Sequence, residues 1–198
     1  MHLQSILSIA LGFLSLTTAT PTPAIESTEE LPLEQGPFGI VSVSDDPYWN
    51  NLTLIHSHVG AATNIAQLAS SPAYTWPYYI NMTGGFTYDP IDRLTKQGRL
   101  RYRVEGRDDI PFNGNLWFNT SSNAAALYIS VQTPLYTFGF DEKGWGDFLG
   151  LDGIFDRWYV CQQLTSYGFK WGVTWRMGEG EVDASRGCTK ISLKRIKL

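Results

Sequence analysis

The sequence predicts an all-β domain, a single antiparallel sandwich or barrel closed by one disulfide. Three observations carry this prediction. Short runs of alternating apolar and polar residues recur along the chain, punctuated by Gly, Asn and Asp. The composition, 14% aromatic with 19 Gly and 10 Pro, suits strands and turns better than helices. The only two cysteines, Cys161 and Cys188, lie within aromatic, strand-like runs.

The chain opens with "MHLQSILSIALGFLSLTTATPTPA". An apolar run from Ile6 to Leu16 is followed by small residues, with Thr17 and Ala19 placed before a cleavage point. Residues 1–19 therefore read as a secretory signal peptide; the run is too short for a bilayer span of roughly 20 residues. Residues 20–36, "TPTPAIESTEELPLEQG", are rich in Pro, Thr and Glu without periodicity and read as a disordered lead. A single β-rich domain is expected over 37–198, long enough for a sizeable core. No later apolar stretch is long enough to cross a membrane, and the closing "ISLKRIKL" is charged, so no integral span or glycolipid anchor is expected.

Within the domain, "PFGIVSVS" opens with a short apolar strand at Phe38, Ile40 and Val41. "NLTLIHSH" (51–58) is strand-like with an unclear register. "GAATNIAQLASS" (60–71) is the only candidate helix, with Ala61, Ile65, Leu68 and Ala69 on one face, a loop being the alternative. "GRLRYRVEG" (98–106) is the cleanest strand: Arg99, Arg101 and Arg103 point one way, Leu100, Tyr102 and Val104 the other. "AAALYISVQT" and "LYTFGFD" read as strands parted by Pro134. "RWYVCQQ", "KWGVTWR" and "CTKISLKRI" complete the set. A three-fold trefoil suits the length, but no internal sequence repeat supports it.

The leader predicts an oxidising destination, where a lone cysteine pair bonds. A Cys161–Cys188 bridge would tie the last strand to a neighbour and stop it fraying. Secretion is also consistent with glycosylation at three sequons, Asn51, Asn81 and Asn119. The net charge of −4 argues against a nucleic-acid partner. Charge is uneven, with Glu26, Glu29, Glu30 and Glu34 near the start and Arg186, Lys190, Lys194, Arg195 and Lys197 near the end. The basic end is either a solvated tail or a contact for anionic wall polymer or lipid headgroups.

The C-terminal third, "YTFGFDEKGWGDFLGLDG", "WYVCQQ", "WGVTW" and "GCTKISL", together with the early "FGIVSVS", resembles small secreted fungal proteins of the phialide cell-wall type, some of them allergens. The likeness covers Phe38 to Val41 and Tyr136 to Leu193; residues 60–130 have no counterpart, and the extra cysteines of that group are absent. The resemblance implies an extracellular, wall-associated, β-rich fungal protein, and it implies no catalytic residues.

Chemistry-bearing motifs are sparse. His56 and His58, two apart on a strand, share a face and could chelate a metal with Asp45 or Asp46, but surface or half-buried histidines are the commoner outcome, and no metal or cofactor is expected. There is no nucleophile elbow, zinc-protease helix or phosphate loop. A glycosidase needs two facing carboxylates. The candidates are Glu105, Asp108, Asp109, Asp141, Glu142, Asp147, Asp152 and Asp156, several of them in ordinary turn contexts. Aromatics crowd the last third. Trp145, in the polar glycine turn "EKGWGD", and Trp171 and Trp175, four apart on one strand, are the candidate glycan contacts; the commoner role of tryptophan in a small β domain is core. The leading expectation is a secreted, non-enzymatic protein of the fungal cell wall or matrix with cell-wall polysaccharide as partner. The alternatives are a carbohydrate-binding or host-directed effector module and a secreted glycoside hydrolase with two carboxylates.

Overall fold

Alternating apolar residues place one face of each strand inward, and the pairings show how those faces meet. The computed structural model describes residues 34–70, 75–81, 97–104, 107–118, 122–141, 147–182 and 186–198. These residues form twelve strands and no helix. The strands are β1 (Glu34–Val43), β2 (Thr53–Gly60), β3 (Thr63–Ala69), β4 (Tyr78–Asn81), β5 (Arg99–Val104), β6 (Arg107–Phe118), β7 (Ala124–Ser130), β8 (Phe138–Phe140), β9 (Leu149–Leu151), β10 (Trp158–Thr165), β11 (Gly168–Arg176) and β12 (Thr189–Lys197). Every ladder between them is antiparallel. The first described strand begins at Glu34, three residues ahead of the expected boundary at 37.

Six strands close a ring. β12 pairs with β1, β1 with β4, and β4 with β5. Gly98, just before β5, exchanges both backbone hydrogen bonds with Phe138 of β8, at 2.8 and 2.7 Å. β8 pairs with β9, and Phe148 beside β9 bridges to Lys194 of β12. The other six strands form three hairpins, β2–β3, β6–β7 and β10–β11. β7 links two of them by pairing with β3 at one end and β11 at the other. β11 also packs close to β3, where a Cβ on Gly172 would lie 2.8 Å from Ile65 Cδ1. Each third of the fold thus supplies two barrel strands and one capping hairpin, which is a β-trefoil. Closure removes free sheet edges without a covering helix.

The barrel answers the choice left open between sandwich and barrel, and the three-fold plan set aside for want of a repeat is present in the backbone. The expected helix over 60–71 is instead the β2–β3 turn and strand β3. Ala62 turns the chain at φ 50°, and Thr63 to Ala69 pair residue by residue with β2. A single apolar stripe did not separate helix from strand, and the ladder decided it.

The core fills the barrel and the space beneath the hairpins. Ile40, Tyr78, Ile80, Leu100, Phe138, Leu149, Ile191 and Leu193 are fully or almost fully buried. Trp158 is wholly buried, donates its indole N–H to the Leu149 carbonyl at 2.7 Å, and packs edge-on against Trp175 at 4.8 Å. Its one polar atom is therefore satisfied, as burial of an indole requires.

Cys161 and Cys188 are bonded as expected. The β10–β12 ladder runs Trp158↔Ile191, Tyr159↔Lys190, Val160↔Thr189, and the disulfide occupies the next opposed positions. The basic C-terminal run is no free tail. Lys190, Lys194 and Arg195 belong to β12, held between β1 and β10, and Arg195 pairs with Asp147 and covers the Phe140 ring.

Candidate functional site

Three alanines in a row open β7, Ala124, Ala125 and Ala126. Ala125 faces the core, whereas Ala124 and Ala126 face the other way and leave the space above them to their neighbours. Here the neighbours are large. On one side, Trp117 and Phe118 of β6 stand opposite Ala126 and Ala125, and Tyr128 tilts against Trp117 at 5.6 Å. On the other, Leu164 and Phe169 form an opposed pair on β10 and β11. The result is a groove of about 680 Å³ between two hairpins, with Gln162, Gln163 and Arg186 as its other polar lining. Its size lies within the range of ligand clefts, about 300–1,000 Å³.

The groove walls are exposed apolar groups. Trp117 is 58% exposed, and Leu164 and Phe169 are each 72% exposed. Its polar floor is anchored: Gln163 donates to the Thr174 hydroxyl at 2.8 Å, which donates to the Gly172 carbonyl at 3.1 Å. Burial raises the Tyr128 phenol above its ordinary value, so it keeps its proton and remains a donor. Flat rings, amides and a guanidinium along one trough offer stacking faces beside hydrogen-bond donors and acceptors.

The corresponding junctions between the other hairpins are more closely packed among the described residues. Between β3 and the β6–β7 hairpin only about 70 Å³ remains, behind the same Trp117–Tyr128 ridge. Between the third hairpin and the first, Ser166 donates to the Val59 carbonyl at 2.7 Å, and Trp171 packs on Trp49 at 5.1 Å.

The residues singled out in the sequence mostly lie elsewhere. Trp175 is 2% exposed and part of the core, so it presents no ring for stacking; Trp171 is partly buried, with its ring packed on Trp49 at 5.1 Å. Trp145 and Asn119 lie outside the described residues, as do Glu105 and Glu142. Asn51 is exposed on a turn at φ 56° and suits a glycan. Asn81 is 9% exposed and paired within the sheet to Glu34 and Arg99, so the folded chain does not present it. Trp117 was missed, although a signal exists. In "FNGNLWF" the residues Asn113, Asn115 and Trp117 share the phase opposite to Phe112 and Leu116, which sets a tryptophan on the polar face.

Among the described residues the catalytic and metal candidates do not converge. His56 is buried between Trp76 and Tyr102, at 4.0 and 4.3 Å, whereas His58 is exposed beside Tyr167. Among the described residues no three His, Cys, Asp or Glu side chains are grouped to hold a metal. Asp147 is tied to Arg195, and Asp152 accepts from Thr137 at 3.3 Å in a turn. No described carboxylate lines the groove.

The chain belongs to a family described as a domain of unknown function, DUF7907, over residues 38–196. No curated protein and no solved structure matches it.

Proposed function

We propose that this protein is a secreted, non-enzymatic protein of the fungal cell wall or extracellular matrix that holds polysaccharide in the groove between β6–β7 and β10–β11. The observation that carries the reading is the exposed aromatic wall, Trp117 with Tyr128, facing Leu164 and Phe169 across a floor of alanine. The secretory leader, the disulfide and the exposed Asn51 sequon support an extracellular site. No helix among the described residues is long and apolar enough to cross a membrane. The likeness to phialide-type wall proteins supports the same setting. A hydrolase reading draws nothing from the groove, whose described lining offers amides and a guanidinium where two facing acids are needed.

The test is retention of purified protein on insoluble chitin, β-1,3-glucan and whole fungal walls, with released sugar assayed in the supernatant. Wild type is expected to be retained on at least one of them without release. Trp117→Ala should weaken retention about tenfold, the order of one stacked ring, with an unchanged melting temperature because the ring is exposed. Equal retention of the variant would remove the groove from the reading, and sugar release would restore the hydrolase.

A further inference from the structure

Trp117 and Tyr128 form a ridge with space on both sides. On one side lies the groove floored by Ala124 and Ala126. On the other lies the pocket of about 70 Å³, which the same two rings line. Strand register sets this order. On the face of the β6–β7 hairpin that carries Trp117, Trp117 stands opposite Ala126, Asn115 opposite Tyr128, and Asn113 opposite Ser130. Ala126, Tyr128 and Ser130 follow one another at steps of about 7 Å. Ser130 in turn stands opposite Thr63 of β3. Alanines leave the groove open on one side of the ridge, and small hydroxyl side chains leave the pocket on the other. A chain lying across Trp117 therefore meets both.

The pocket's size and lining select what can enter it. A cavity of about 150 Å³ takes a benzene ring, so half that volume takes three or four heavy atoms and no sugar ring. Leu135, 71% exposed, and the two rings give it an apolar side. Thr63, Gln132 and Thr133 give it a polar one. The Thr63 hydroxyl donates to the Ala61 carbonyl at 3.1 Å and so faces a ligand as an acceptor. Gln132 and Thr133 are exposed, and neither side chain is engaged by a described residue. Every described lining residue is neutral, Tyr128 included, because burial raises its phenol. A carboxylate, sulfate or ammonium group finds no counter-charge there, and a hydroxymethyl group brings no methyl to Leu135. An acetamido group has four heavy atoms: its methyl suits the apolar side, and its carbonyl and N–H suit the polar one. We propose that this pocket takes the acetamido group of a sugar stacked on Trp117, so that the groove's ligand is a polymer of N-acetylated amino sugars. This assignment rests on the groove holding polysaccharide, and it narrows which one.

The test titrates the full chain by calorimetry with four β-1,4-linked probes: the N-acetylglucosamine hexamer, the same hexamer fully deacetylated, the glucose hexamer and the N-acetylglucosamine dimer. Wild type is expected to bind the acetylated hexamer about tenfold more tightly than either other hexamer, the order of one buried methyl and one hydrogen bond. The dimer should bind more weakly than the hexamer. Leu135→Ala with Thr133→Ala should bring the acetylated hexamer down to the level of the glucose hexamer, at unchanged melting temperature because both side chains are exposed. Equal or tighter binding of either other hexamer would overturn the acetamido assignment. A preference that survives in the double variant would place the acetyl group outside the pocket and overturn the site. A dimer as tight as the hexamer would overturn the polymer. A wild type that ignores the acetylated hexamer but is retained on β-1,3-glucan, with retention lost in Trp117→Ala, would overturn this assignment and leave the groove reading standing. Binding to neither would remove both.

Discussion

His56 shows how a single side chain departs from what its neighbours in sequence suggest. Two histidines two apart resemble a chelating pair, but the fold buries one between Trp76 and Tyr102 and leaves the other exposed. Burial pushes the His56 pKa down from 6.5 to about 4. Between these values the unfolded chain binds a proton that the folded chain refuses. Stability contributed by neutral His56 is therefore present above pH 6.5 and is lost as pH falls toward 4, by roughly 3 kcal/mol in all. His56→Phe keeps a ring in the stack and removes this titration. Its urea midpoint should fall less than that of wild type between pH 6.5 and 4, and identical pH slopes would show that His56 titrates normally. The tryptophans make the same point. Trp117 and Trp175 are the same residue type in similar strands, yet one lies on a wall of solvent and the other against Trp158.

Among the elements, β5 was fully legible because Arg and apolar residues alternate without interruption, and its burial follows that phase. β3 was not. Its sequence fits a helical stripe as well as a strand, and only pairing with β2 and β7 settles it. β7 was legible as a strand, but not as the floor of a groove, because the value of Ala124 and Ala126 there depends on which side chains rise beside them. The disulfide belongs to this scale too. It continues the β10–β12 ladder by one opposed pair, so it holds β12 at the point where that ladder ends. Replacing both cysteines by serine should cost roughly 3–4 kcal/mol, the chain-entropy value for a loop of this length. Chemical denaturation measures it, and hydrogen exchange should rise first at Val160 and Thr189. A variant as stable as wild type, with those amides still protected, would make the bridge incidental.

At the scale of the molecule, the fold is a closed six-strand barrel under three hairpins, and closure depends on the last strand. β12 pairs with both β1 and β10 and bridges to Phe148 beside β9. A chain ending at Arg186 lacks that stave and one cysteine. It should lose cooperative unfolding and the near-ultraviolet signal of buried Trp158, whereas the double serine variant keeps both; this comparison separates the strand from the disulfide. A truncated chain that still melts cooperatively would contradict closure through β12.

By itself the sequence determined the β class, the cysteine pair and the phase of its cleanest strand, because these rest on local alternation and on there being only two thiols to join. The tertiary structure alone decided the three-fold plan, the burial of Trp175 and the groove between two hairpins. Those depend on which strands become neighbours across long stretches of chain, and the pairing of distant strands leaves no mark on local composition.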